Sequence, residues 1–326
     1  MTLRATLAAV TAVLLAPGLA LAADPVETLV GMSSDKGELA GTLTRPRGAK
    51  GEPVVVILPG SGPTDRNGDN RYGVRGSFLK DLAWGLADEG IASLRIDKRG
   101  MFGNMGATGG PYNASLSEMA ADARSWAAFA RAMTGAPCAW IAGHSEGSTV
   151  ALLAAQQDKG ICGVLLLAGP GRPLGTIIRE QLKANPANGP YLDNAFYILD
   201  ELEAGRTVPA DKVDPVLNPL FSPSVQPFLI DSMRQDPAKL AGAYNGPILI
   251  LQGDTDLQVT VADANRLKEG QPRATLVILE QVNHMLRTAP ADRAANLATY
   301  SDIDAPLAPS VVPAIAGFIK AQPGTN

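Results

Sequence analysis

The pentapeptide Gly143-His144-Ser145-Glu146-Gly147 carries the strongest chemical signal in this chain of 326 residues. It follows the apolar run Trp140-Ile141-Ala142 and precedes the helical pattern Thr149-Val150-Ala151-Leu152-Leu153, so the serine falls on a turn from a strand into a helix. Glycine on both sides lets such a turn close tightly, and the strained serine between them is pushed out over the end of the strand. The backbone N–H of Glu146 then points into the same space from a helix N-terminus. That arrangement suits a nucleophile attacking a carbonyl; the alternative is a glycine-rich turn with a capping serine. A nucleophilic serine needs a base to take its proton and an acid to orient that base. The chain has only two histidines, His144 and His284. Adjacent positions at a strand end send their side chains to opposite sides. This turns His144 away from the Ser145 hydroxyl and leaves His284, in Gln281-Val282-Asn283-His284-Met285, as the base. An acid is at hand in Gln252-Gly253-Asp254-Thr255-Asp256-Leu257-Gln258-Val259, where Asp254 and Asp256 compete.

Groups so far apart in sequence must be gathered by a sheet. Apolar, β-branched runs at 53–59, 91–96, 138–142, 161–168, 247–251 and 274–279 read as strands buried on both faces, after an opening hairpin of 26–33 and 38–44. Amphipathic helical stretches at 78–88, 116–133, 148–157, 261–268 and 311–321 alternate with them. Such alternation predicts an α/β fold, a mostly parallel sheet with helices on both faces. Ser145, the aspartate pair and His284 all follow strands, at the carboxyl edge where open α/β sheets place their sites. The rhythm breaks between 170 and 245, where helical pieces at 176–184, 192–204 and 226–234 are separated by prolines. That length exceeds an ordinary connection and predicts a helical lid inserted into the core formed by 23–169 and 246–326.

Composition excludes other classes. With 28 basic against 32 acidic residues the net charge is −4, which provides no electrostatic footprint for nucleic acid. Two cysteines and two histidines match no zinc spacing. Met1 to Arg4 opens with positive charge, residues 5–15 are apolar, and Ala20-Leu21-Ala22 offers a small-x-small cleavage site. Residues 1–22 therefore read as a signal peptide cleaved after Ala22, with an exported, periplasmic or secreted product. No later run is apolar enough to span a bilayer, so no stable membrane insertion is expected.

These motifs together resemble the α/β-hydrolase family, over nearly all of residues 26 to 322. Val54 to Leu58 followed by Pro59-Gly60-Ser61-Gly62-Pro63 looks like the family's oxyanion loop, with proline at 59 where many members have histidine. Asp97-Lys98-Arg99-Gly100 is similar to the family's Asp-x-Arg-Gly turn. Residues 59–68 (PGSGPTDRNG) with the GHSEG elbow look like a branch of bacterial serine carboxylesterases that includes exported members. The resemblance implies an eight-stranded sheet, the chain order Ser, acid, His, and a Gly-x-x-Asp pattern that selects Asp256 and leaves Asp254 as a turn residue. It further implies an oxyanion hole built from the N–H groups of Ser61 and Glu146, and hydrolysis of a small-molecule ester through an acyl-enzyme with no cofactor or metal. A peptidase or aminopeptidase of the same fold is the alternative, and a non-catalytic binding protein on a hydrolase scaffold stands behind it.

Other features read more plainly. Asp65-Arg66-Asn67-Gly68-Asp69-Asn70 is off the calcium-loop alternation by one and lacks its late glutamate, so a polar loop at the site mouth is expected. The glycine-rich stretch 100–110 reads as a mobile rim. Glu146 either complements the helix N-terminus or meets a cationic or hydroxylated substrate group. Cys138 and Cys162 open neighbouring strands at similar depth, so they are either a disulfide or two buried thiols.

Overall fold

The computed structural model describes residues 24–322 apart from Asp35, residues 108–111 and Asp158. The expected leader, residues 1–22, and part of the glycine-rich rim thus lie outside the described residues. A single sheet of eight strands runs in the order β1-β2-β4-β3-β5-β6-β7-β8. β1 (Val26–Ser34) and β2 (Gly37–Arg45) form the expected hairpin, and β2 pairs antiparallel with β4 (Ala92–Ile96). From β4 onward every pairing is parallel, through β3 (Val54–Leu58), β5 (Ala139–His144), β6 (Ile161–Leu167), β7 (Ile248–Gly253) and β8 (Thr275–Leu279).

β3, β5, β6 and β7 are covered on both faces, whereas β4 buries Ser93 and Arg95 among its apolar residues and β8, expected to be buried on both faces, is an edge strand that exposes Thr275 and Ile278. Along β3, Val54, Val56 and Leu58 enter one core while Val55 and Ile57 enter the other. All five side chains are buried, each contributing roughly 1.5–3 kcal/mol relative to exposure. The first core is closed by α2 (Leu116–Thr134), α3 (Glu146–Ala155) and α9 (Val261–Gly270). The second is closed by α1 (Phe78–Asp88) and α11 (Val311–Lys320). α3 begins at Glu146, two residues before the expected start. The serine turn is tighter than the apolar pattern suggests, and Ser145 passes directly from strand into helix.

Between β6 and β7 the chain forms the lid-like insertion: α4 (Leu174–Ala184), α5 (Leu192–Glu203), α6 (Asn218–Phe221), α7 (Gln226–Met233) and α8 (Pro237–Ala243). Prolines that break up its sequence pattern also open its helices. Pro219 and Pro237 sit in first turns, where a missing N–H costs no intrahelical bond. α6 and α8 are too short to show a helical period, and the sequence reading missed them. It also missed α10 (Arg293–Ala298). Cys138 and Cys162 are joined in a disulfide with Cα atoms 5.2 Å apart, at the edge of the sheet opposite the serine turn. Among the described residues no helix is long and apolar enough to cross a membrane.

Candidate active site

Ser145 sits at φ 52°, a conformation L side chains rarely adopt, with its N–H donated to the Leu167 carbonyl across the end of β6. The flanking glycines are required by space. A Cβ on Gly143 would lie 2.1 Å from the Gly147 carbonyl oxygen, and one on Gly147 would lie 2.7 Å from that of Leu58. The strained turn is therefore held by packing against β3, and Ser145 lines the cavity beneath the lid.

The His284 ring is fixed from two sides. Its Nδ1 donates to Asp256 Oδ2 at 2.8 Å, and both side chains are buried. A carboxylate only accepts, so the proton is on Nδ1 and the lone pair is on Nε2. The other Asp256 oxygen accepts the N–H groups of Gln258 at 2.7 Å and Val259 at 2.9 Å, while Gln252 Nε2 reaches Oδ2 at 3.2 Å. Asp254 is exposed and its carboxylate accepts the Gln281 N–H at 2.6 Å, a turn contact remote from the imidazole. The loop that carries His284 is itself pinned by buried Asn283, which accepts the N–H groups of Met285 and Arg287 and donates to Thr299. Asn283, Gln252 and the α10 contacts went unread in the sequence, since a lone amide in a loop has no pattern.

His144 is turned to the loop that carries His284. Its ring centroid is 4.7 Å from that of His284, and its Nε2 donates to the His284 backbone carbonyl at 2.8 Å. Burial first, and the neighbouring His284 next, hold its imidazole down to about 3, so it stands neutral against the His284 ring. Ser145 Oγ makes no hydrogen bond among the described residues.

The loop Pro59 to Pro63 lies against the serine turn, with the Gly60 position next to both His144 and Ser145. A Cβ on Gly60 would be 3.2 Å from Ser145 Cβ. The N–H groups of Ser61 and Glu146 have no acceptor among the described residues, and both residues line the same cavity as Ser145. The Glu146 side chain is turned to Lys98, with Oε1 3.7 Å from Nζ, a partner that neither role read from the sequence included. Burial pushes the Glu146 carboxyl up and the Lys98 ammonium down, each opposed by the other's charge. The cavity has a volume of about 260 Å³, and its roof is mostly apolar, with Ile177, Ile178, Leu220 and Phe228 from the lid beside Gln181 and Ser232. Contrary to expectation the polar loop is not at its mouth: no residue of 65–70 lines this cavity, and Asp65, Asp69 and Asn70 line a separate surface pocket. There Asp65 is occupied by the N–H groups of Asn67 and Asp69, and Asp69 by Ser77.

Comparison with known proteins agrees with this architecture. Esterase EstD of Thermotoga maritima is 29% identical over 253 residues, covering 76% of this chain and 58% of that protein. The chain thus spans less than two thirds of the length of that relative. Among solved structures, the Pyrococcus furiosus esterase Pf2001 aligns with a TM-score of 0.55 at 17% identity over 91% of both chains. Est1E from Butyrivibrio proteoclasticus, solved with ferulic acid, gives 0.55 at 17% identity over 84% of this chain and 96% of that one. At such identities these likenesses are of fold. The model of the alpha/beta hydrolase family, however, matches residues 55–297, a span that takes in the loop after β3, the serine turn, Asp256 and His284, and the chain belongs to that family.

Proposed function

We propose that the protein is a serine carboxylesterase, with Ser145 as nucleophile, His284 as general base and acid, and Asp256 as the carboxylate that orients it. The observation that carries this reading is the 2.8 Å bond from His284 Nδ1 to a buried Asp256, taken together with a serine held in a strained strand-to-helix turn. With Nδ1 protonated, Nε2 is ready to accept the Ser145 proton as the hydroxyl attacks the ester carbonyl. The contact between Ser145 Oγ and Nε2 closes in the substrate complex, as such bonds commonly do. The tetrahedral oxyanion is met by the N–H groups of Ser61 and Glu146, a donor of this kind contributing about 3 kcal/mol. Collapse expels the alcohol, protonated by His284, and water attacks the acyl-enzyme by the same route. Every step is carried by side chains and backbone of this chain.

A small, neutral ester suits the cavity. Its roof is mostly apolar, and the acid best placed to anchor a substrate ammonium, Glu146, faces Lys98 instead. This favours the esterase over the aminopeptidase reading. The name of the Thermotoga relative supports the same activity class. The reading extends to export: the leader pattern at residues 1–22 fits an oxidising compartment, where the Cys138–Cys162 disulfide would persist. The test is a panel of p-nitrophenyl esters of increasing acyl length run beside aminoacyl p-nitroanilides. Turnover of short and medium esters, with amides slower by orders of magnitude, is expected; faster amide cleavage would transfer the assignment to the peptidases.

A further inference from the structure

Lys98 follows β4 in the turn Asp97-Lys98-Arg99-Gly100 and is buried. A lysine there is costly unless its ammonium is met by partners. Its flanking charges are engaged elsewhere, Asp97 with Arg66 and Arg99 with Asp122. Lys98 Nζ instead donates to the Gly60 carbonyl oxygen at 2.7 Å, with the Glu146 carboxylate 3.7 Å away as counter-charge. Gly60 C=O and Ser61 N–H belong to one peptide unit, planar and trans, so the two groups point in opposite directions. Holding the carbonyl toward Lys98 aims the Ser61 N–H the other way. Ser61 lines the cavity with Ser145, and its N–H has no acceptor among the described residues. On its other side the loop is tied by Thr64 Oγ1, which donates to the Ser61 carbonyl at 3.0 Å.

We propose that Lys98 is a positioning residue of the oxyanion hole, which orients the Gly60–Ser61 peptide and polarises it so that its N–H becomes a stronger donor to the developing oxyanion. A cation on an amide oxygen draws electron density from nitrogen, and away from water that effect is weakly screened. The donor is fixed before the reaction begins, which is the condition under which such groups lower a barrier. One ion pair thereby joins both halves of the hole. Lys98 grips the peptide that bears one donor, and its counter-charge is the side chain of Glu146, whose backbone supplies the other.

The inference rests on the acyl-transfer reading of Ser145, and the experiment separates the two. Wild type, Lys98→Met and Lys98→Gln are compared for kcat and KM on the best p-nitrophenyl ester, for inhibition by phenylboronic acid, and for thermal midpoint. Lys98→Met removes charge and donor; Lys98→Gln keeps a donor without charge and serves if the first variant does not fold. The expected result is a folded protein with kcat lowered about 10²- to 10³-fold, the loss of one oxyanion donor. KM should stay within about threefold, and the boronate, which forms an anionic tetrahedral adduct, should weaken in parallel with kcat. The Gln variant should lie between wild type and Met. A folded variant of either kind with kcat within threefold of wild type overturns the proposal, as does a loss confined to KM. If wild type cleaves no ester, that outcome counts against the esterase reading alone. The same variants are then ranked by the rate at which a fluorophosphonate modifies Ser145, where charge also develops on an oxygen in the hole, and equal rates overturn the role of Lys98.

Discussion

Asp256 shows how a carboxylate is kept ready to orient a base. It is buried, yet both oxygens are occupied, one by two backbone N–H groups and the other by Gln252 and His284. Those bonds fix the carboxylate plane, so the imidazole is held in one tautomer and one orientation. Asp254, two residues earlier, spends its charge on a turn N–H at the surface. The two aspartates therefore separate sharply by substitution. Asp256→Asn should lower kcat on the order of 10³- to 10⁴-fold, because an amide can present its NH₂ to the ring and favour the wrong tautomer. Asp254→Asn keeps an oxygen for the Gln281 N–H and should stay within a few-fold of wild type. Steady-state kinetics on one ester decides it, and equal losses in the two variants would remove Asp256 from the role assigned here.

Between elements, the contact that matters most is the one from β5 to the loop that follows β8. His144 ends β5, packs against the His284 ring and donates to its carbonyl, so the strand that leads into the serine turn also supports the loop of the proposed base. This support has a pH signature. Folding holds the His144 imidazole at about 3, against an ordinary value of 6.5. The unfolded chain takes up a proton between those limits that the folded chain refuses, so stability falls as pH drops from 6.5 toward 3. The slope from this group approaches about 1.4 kcal/mol per pH unit. Urea midpoints for wild type and His144→Asn from pH 7 to pH 4 test this. The variant, which keeps a donor for the His284 carbonyl but no titrating group, should lose less stability on acidification; identical slopes would show that His144 is not the group refusing the proton.

At the scale of the whole molecule, the sheet was legible because burial on both faces writes continuous apolar runs, as in β3, β5, β6 and β7, whereas β8 reads the same way but is an edge strand with Thr275 and Ile278 exposed. The candidate nucleophile and base were legible for a different reason. A strained turn demands Gly143 and Gly147 by contact distance, and a chain with two histidines leaves little choice. What the sequence hid is what folding brings together from afar. The Lys98 bond to Gly60 spans 38 residues and the His144 bond to His284 spans 140, and neither leaves a local pattern. Asp97-Lys98-Arg99-Gly100 was visible as a turn, but the carbonyl that its lysine reaches belongs to another strand's loop. The lid was legible by length and by its prolines, whereas α6 and α8 are shorter than the window in which a helical period can be seen.

The central claim is that Ser145 is the activated nucleophile of this fold, and the most direct measurement is covalent trapping. The intact protein is incubated with a fluorophosphonate at neutral pH and the adduct is located by peptide mass spectrometry, beside Ser145→Ala and His284→Ala. Stoichiometric modification of Ser145 is expected, with none in Ser145→Ala and a rate lower by orders of magnitude in His284→Ala. A wild-type protein that remains unmodified, or an adduct on another residue, would contradict it.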